Sequence, residues 1–366
     1  MSEMTALKIG DLEARIPIIQ GGMGVGISLS GLASAVANEG AIGIISSAGI
    51  GMLESDFAKN FREANVRALR NEIRKAKSLT NGIVGVNIMV ALSDYDEHLT
   101  VSVDEGVDLI TSGAGLPLKM PERILEDKNG KNRTKFVPIV SSGRAADVVF
   151  GYWSKHYNLI PDAVVVEGPM AGGHLGFKKN QIDDPNYALE KIFPDVIAVI
   201  KNYEQHYGKS IPVIAAGGIF TGADIYKFVQ LGASGVQMAT RFVGTYECDA
   251  SMEFKEAYIK SQKKDIVIID SPVGMPGRAL RNKFLDDVDS GIKRPPKCPW
   301  KCLKTCEYMN SPYCIALALT NAKKGYLQDG FVFVGANAYR VKEIVSVKAL
   351  IDLLKKEYVE SSLAHI

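Results

Sequence analysis

The sequence predicts an α/β protein of the (β/α)8, or TIM, barrel class, on three observations. Short runs rich in Val and Ile alternate with helical segments, eight such runs can be counted, and the last two both end in small or hydroxylated residues. Alternation of this kind implies a parallel sheet. Strand ends of this composition leave bare backbone, on which a barrel commonly seats a phosphate after its seventh and eighth strands.

The runs at residues 16–20, 42–45, 83–89, 109–111, 136–140 and 163–167 supply the first six strands. Helical composition separates them, among other places at 30–38, 55–77, 144–155 and 187–207. The charge alternation along 62–77 is that of a solvated outer face. The seventh strand is Ile211-Pro212-Val213-Ile214-Ala215-Ala216-Gly217-Gly218-Ile219, and the eighth is Gly235-Val236-Gln237-Met238-Ala239-Thr240-Arg241. Each is a buried strand opening into a tight loop. An open, doubly wound sheet gives the same alternation, and Gly21-Gly22-Met23-Gly24-Val25-Gly26 after the first run keeps it as the rival. The count of eight favours the barrel.

With 366 residues, 46% hydrophobic and 23% charged, the chain can bury one large barrel core and an accessory region. Three segments are expected: a barrel over 1–262, an accessory stretch with clustered cysteines and a lid over 263–335, and a helical segment over 336–366 packed back on the barrel. Ser271-Pro272-Val273-Gly274-Met275-Pro276-Gly277-Arg278 is too rich in Pro and Gly for a regular element and reads as a long loop. A net charge of +2, with basic and acidic residues interspersed, gives no reason to expect nucleic acid. No apolar run is long enough for a membrane span, and the first ten residues lack a leader pattern, so a cytoplasmic location is expected. Nothing in the sequence decides the assembly, for which a homodimer is one candidate.

His174 lies in Gly172-Gly173-His174-Leu175-Gly176, just past the sixth strand and therefore on the active-site face of a barrel. Its imidazole can exchange a proton near neutral pH while the glycines let backbone close around a ligand. His98, His156, His206 and His365 sit in polar helical or terminal contexts and read as solvated. Arg278 and Arg281 would reach an anionic substrate or a nicotinamide phosphate if the loop before them folds over the mouth, and otherwise lie on the surface.

Cys298, Cys302, Cys306 and Cys314 crowd into 17 residues, a pattern that suits zinc, an iron–sulfur cluster, free thiols or disulfides. On one straight helix Cys298 and Cys306 would stand about 12 Å apart, so a shared metal needs a loop or a broken helix, which Pro299 allows. Cys248 stands alone and reads as incidental.

Taken in order, Gln20-Gly21-Gly22-Met23, Gly85-Val86-Asn87-Ile88-Met89, Thr111-Ser112-Gly113-Ala114-Gly115, the His174 loop, 215–219 and 237–242 resemble the nitronate monooxygenase family, once called 2-nitropropane dioxygenase. The resemblance is strong over roughly residues 14–245 and extends to the sister flavin-dependent enoyl-acyl carrier protein reductases. It implies FMN, with Gly22 and Met23 lining the flavin and Asn87 bonding to its ring. It further implies that Glu167, Gly172 and Gly173 frame the isoalloxazine, and that Gly217, Gly218, Gln237, Met238, Ala239 and Thr240 hold the phosphate and ribityl chain. His174 matches the family's catalytic histidine. Gly24-Val25-Gly26 replaces a bulkier residue of many relatives and implies a more open substrate pocket.

The activity so implied is oxidation of alkyl nitronates, the flavin being reduced by substrate and reoxidised by oxygen, with His174 as acid, base or charge stabiliser. The alternatives are an NAD(P)H-dependent enoyl thioester or quinone reductase, the nicotinamide visiting transiently, and a flavin- or phosphate-binding barrel without turnover.

Overall fold

A computed structural model describes residues 4–120, 134–292, 298 and 300–364. The chain opens with an antiparallel hairpin, β1 (Leu7–Ile9) and β2 (Leu12–Ala14), which the sequence reading missed because each strand has only three residues. Leu7, Ile9 and Ala14 share a buried cluster with Ile19, Ile44, Val137 and Ile214 of the barrel strands. A Cβ at Gly235, where the last barrel strand begins, would lie 3.1 Å from Leu7. The hairpin therefore plugs the N-terminal end of the barrel.

Eight parallel strands make that barrel: β3 (Ile18–Gln20), β4 (Gly43–Ser46), β5 (Val84–Met89), β6 (Leu109–Gly113), β7 (Lys135–Val140), β8 (Val164–Glu167), β10 (Val213–Ala216) and β11 (Gly235–Met238). β11 pairs with β3 through Val236–Ile18 and Gln237–Ile19. The last seam, between β3 and β4, is closed by Gln20 N–H donating to the Ile42 carbonyl and Ile42 N–H to the Ile18 carbonyl, both at 2.9 Å. The Gln20 side chain reinforces the seam by accepting from Ile44 N–H at 3.0 Å. An open sheet would leave these edges unpaired, so the rival topology is excluded.

Helices at Ser30–Asn38, Phe61–Leu79, Tyr95–Asp104, Gly143–Tyr157, Leu189–Tyr207 and Gly222–Gln230 return the chain between strands. The helix expected over 55–77 starts later, because 55–59 are turns and Asn60 is the N-cap. Close approach decides where glycine stands on β4: a Cβ at Gly43 would meet the Ala33 carbonyl oxygen at 1.9 Å, so the Ser30–Asn38 helix packs backbone to backbone on that strand.

The stretch read as a long loop is corrected here. β9 (Gly173–His174), β12 (Ile266–Asp270) and β13 (Pro276–Leu280) form a three-stranded antiparallel sheet in which Gly277 opposes His174 and Arg278 opposes Gly173. Only 271–275 turn. Pro276 is tolerated because it begins its strand, and Gly277 is required because Phe333 lies 2.8 Å from where its Cβ would be. Among the described residues no helix is long and apolar enough to cross a membrane.

The Val347–Ala364 helix packs on Gly222–Gln230, where Glu357 accepts a hydrogen bond from Gly222 N–H at 2.7 Å. A Cβ at Gly222 would stand 2.1 Å from the Leu354 carbonyl oxygen. Helix propensity alone favours Ala over Gly by about 1 kcal/mol. Backbone contact this tight cannot yield cheaply, so Gly222→Ala is expected to destabilise by roughly 1–3 kcal/mol, read as a lowered urea midpoint and Tm.

Candidate active site

The C-terminal ends of the barrel strands enclose a cavity of about 320 Å³. His174 and the expected flavin ligands Gly22, Met23, Asn87, Glu167, Gly172, Gly173, Gly217, Gly218, Gln237, Met238, Ala239 and Thr240 all line it. The turn after β3 lies directly on β5, since a Cβ at Gly22 would meet Asn87 Cβ at 2.3 Å. Asn87 Nδ2 donates to Thr111 Oγ1 at 3.0 Å, which fixes the amide and leaves its carbonyl oxygen for a ligand. After β10, Gly217 and Gly218 both adopt φ +92°, and Cβ atoms there would strike the Gly168 carbonyl at 2.7 Å and Met170 at 2.9 Å. Two consecutive left-handed residues turn bare backbone toward the cavity, a concavity suited to an anion. A phosphate-bearing flavin fits this cradle, where any side chain would fill the space.

Residues from the far end of the sequence complete the wall. Gly335 approaches so closely that a Cβ would lie 2.5 Å from Thr240 Oγ1, and Asn337 Nδ2 donates to the Gly218 carbonyl at 2.6 Å. His174 Nε2 is 2.7 Å from Ser271 Oγ, and its ring meets Phe333 edge to face with centroids 5.0 Å apart. Ser271, Phe333, Gly335 and Asn337 carry no local sequence signal. Ser271 follows β12 and Phe333 bridges to Ala279 of β13, so the pairing of β9, β12 and β13 brings these two to His174, while Gly335 and Asn337 dock directly on Thr240 and Gly218.

Both titratable groups at this wall are driven toward their neutral forms. Burial pulls the His174 imidazole down to about 4 and pushes the Glu167 carboxyl up to about 7. At neutral pH the imidazole is therefore uncharged, while the Glu167 carboxyl is poised between its two protonation states.

Comparison with known proteins accords with that geometry. The family model described as nitronate monooxygenase matches residues 6–357. The chain belongs to the nitronate monooxygenase family. A probable nitronate monooxygenase of Staphylococcus aureus (strain Newman) is 30% identical over 305 residues, covering 76% of this chain and 78% of that protein. A (3aS,4S,5R,7aS)-5-hydroxy-7a-methyl-1-oxo-octahydro-1H-indene-4-carboxyl-CoA dehydrogenase of Mycobacterium tuberculosis (strain ATCC 25618 / H37Rv) is 28% identical over 277 residues, covering 76% of this chain and 66% of that protein. Among solved structures, FabK from Thermotoga maritima superposes with a TM-score of 0.72 at 30% identity, over 96% of each chain. Nitroalkane oxidase from Streptomyces ansochromogenes, at 22% identity and TM-score 0.72 over 96% of this chain and 98% of that one, shows the same fold. As a member of this family the chain is a flavin-dependent oxidoreductase.

Other expectations are corrected. Arg278 is 6% exposed and lies neither at the mouth nor on the surface. Its Nη1 donates to the Pro169 and Ala171 carbonyls at 2.7 and 2.6 Å, clamping the loop that carries His174. Arg281 pairs with Asp286 and Asp289. His98 is fully buried, with Nδ1 3.0 Å from Ser47 Oγ and Nε2 3.2 Å from Asp94 Oδ2, because it occupies the inward face of the Tyr95–Asp104 helix. His156 and His206 are exposed, and His365 lies outside the described residues. All five cysteines are free. Among the described residues no three His, Cys, Asp or Glu side chains are gathered so as to hold a single metal ion.

Glu167 gives a pH test. With a folded pKa of about 7 against an ordinary 4.5, the folded chain retains a proton that the unfolded chain releases between those values. Its contribution to stability is thus complete below pH 4.5 and is lost as pH rises through 7. The Tm of flavin-free Glu167→Gln relative to wild type is expected to climb from pH 5 to pH 8. A flat difference in differential scanning fluorimetry would contradict the burial assigned to this carboxyl.

Proposed function

We propose that the chain is an FMN-dependent oxidoreductase acting on an activated compound whose reacting carbonyl is uncharged, such as an enoyl thioester, bound against the wall of His174 and Phe333, with Ser271 behind the imidazole. The observation that carries this reading is the seat of His174, packed on Phe333 and hydrogen-bonded to Ser271. Burial there keeps the imidazole uncharged at neutral pH. A neutral imidazole polarises a carbonyl by donating one hydrogen bond, whereas it offers no positive charge to an anionic nitronate.

Gly22, Met23 and Asn87 would hold one side of the FMN ring, and Glu167, Gly172 and Gly173 the other. Gly217, Gly218, Gln237, Met238, Ala239 and Thr240 would take the phosphate and ribityl chain. When bound, FMN supplies hydride and electron transfer, with NAD(P)H as a transient reductant. The chain's own residues orient the substrate. Val273 N–H approaches Ser271 Oγ at 3.4 Å, which directs the Ser271 hydroxyl hydrogen toward His174 Nε2. That arrangement leaves Nδ1–H as the donor to a substrate carbonyl oxygen. Met52, Phe57, Leu92, Trp300 and Leu303 extend the cavity as an apolar wall for an acyl chain. The likeness to FabK and to a CoA-ester dehydrogenase points the same way.

Nitronate oxidation is the second reading, favoured by the family match and the staphylococcal relatives. In it, a nitronate is bound directly, or neutral His174 would take the α-proton of a nitroalkane to form the nitronate and an imidazolium beside it.

Anaerobic mixing of the flavin-loaded protein with NADH or NADPH, and separately with a nitronate, distinguishes the two. Bleaching by the nicotinamide, reversed on adding an enoyl thioester, is the expected result. Bleaching by nitronate alone would replace the first reading with the second. His174→Ala is expected to slow turnover about 10²–10⁴-fold while flavin is retained. Ser271→Ala, which frees the tautomer, is expected to cost about tenfold, the scale of one hydrogen bond, and to shift the pH profile of kcat.

A further inference from the structure

The four clustered cysteines have no part in the reading above. Cys298, Cys302, Cys306 and Cys314 border a single small void together with Lys301, Leu303, Tyr308, Ile315 and Ala316. The first three lie on a non-helical loop tied to the barrel by the Leu92–Leu303 bridge, by Ser93 N–H donating to the Cys302 carbonyl at 3.0 Å, and by Lys304 N–H donating to the Ala91 carbonyl at 2.8 Å. Trp300 pins the same loop, its ring 5.1 Å from Phe57 and its indole N–H on the Ala58 carbonyl. Lys301 takes φ +47°, a left-handed turn that brings Cys302 back toward its neighbours. The fourth thiol arrives from elsewhere in the fold, as the N-cap of the Ile315–Lys323 helix.

We propose that Cys298, Cys302, Cys306 and Cys314 ligate one iron–sulfur cluster set beside the flavin cavity. Three observations separate this from a zinc site. Cys298, Cys302 and Cys306 follow one another at intervals of four with Cys314 eight further on, three in one run and one remote, as in ferredoxin-type ligation, whereas structural zinc is typically held by two separated pairs. Cys314 caps the N-terminus of the Ile315–Lys323 helix, whose unpaired first-turn amides offer the kind of N–H donation that stabilises cluster thiolates and tunes their potential. Cys302 lines both this void and the flavin cavity, a shared wall that a redox group uses and a structural ion does not need.

The sulfurs do not converge on one point. A lone zinc ion needs all four about 2.3 Å away, whereas a cluster takes thiolates around its outside. The void is small, so the loop must widen to admit the cluster. The loop is anchored at Trp300 and at the Leu92–Leu303 bridge, and Cys298 and Cys306 lie to either side of those anchors.

The test is metal and sulfide analysis of full-length, flavin-containing protein purified without oxygen, with EPR before and after dithionite. About four iron and four acid-labile sulfide per chain are expected, with a signal appearing on reduction. Cys306→Ser, at a thiol outside the flavin cavity, is expected to lose iron and signal while keeping its FMN absorbance. Stoichiometric zinc without sulfide would overturn the proposal, as would metal-free protein with all its cysteines titrating as thiols. Wild-type metal content decides even if the variant fails to fold.

Discussion

Everything at the mouth of this protein depends on closing one seam. β3 and β4 meet through a pair of main-chain hydrogen bonds at Ile18, Gln20 and Ile42, backed by the Gln20 amide. These few bonds turn eight strands into a ring, and a ring forces all eight strand ends onto one rim. The turn after β3 then falls on Asn87, and the Gly217–Gly218 turn opens across the cavity from it. Side chains from residues 22 to 240 converge without contact along the chain because the geometry of closure leaves them nowhere else to point.

The second layer of control comes from residues outside the barrel. The β9–β13 pairing holds a two-residue strand that would not persist alone, and Arg278 ties the loop before it through two carbonyls. His174 thus sits on a short strand with a buried cation behind it, although its position in a glycine-rich loop suggests mobility. The energetic cost of burying that guanidinium is offset by its hydrogen bonds, and the result is a rigid seat for a proton-handling group.

What the sequence discloses follows the range of the interactions. The barrel was legible because each strand is a continuous apolar run, and the cavity glycines because two positive-φ residues must be glycine. The β1–β2 hairpin and β13 were not. Three-residue strands carry no periodicity, and Pro276 and Gly277 argue locally for a loop until pairing with Ile269 and His174 overrides them. His98 misled for the same reason: Tyr95-Asp96-Glu97-His98 is polar in composition, yet its burial is set by Ser47 and Asp94. Ser271 and Phe333 reach His174 across 97 and 159 residues of chain, and Asn337 reaches Gly218 across 119, distances no local motif spans.

The hydrogen bond from Asn337 to the Gly218 carbonyl, and the press of Gly335 on Thr240, give the cradle a timetable. A chain leaving the ribosome can form its strands in order, each pairing soon after the last. The wall over the cradle, however, is supplied by residues made long after the strands that need it. The pocket stays open on that side until those residues have been made and have docked. The cradle is thus finished from outside, by a cover that docks on a barrel already built.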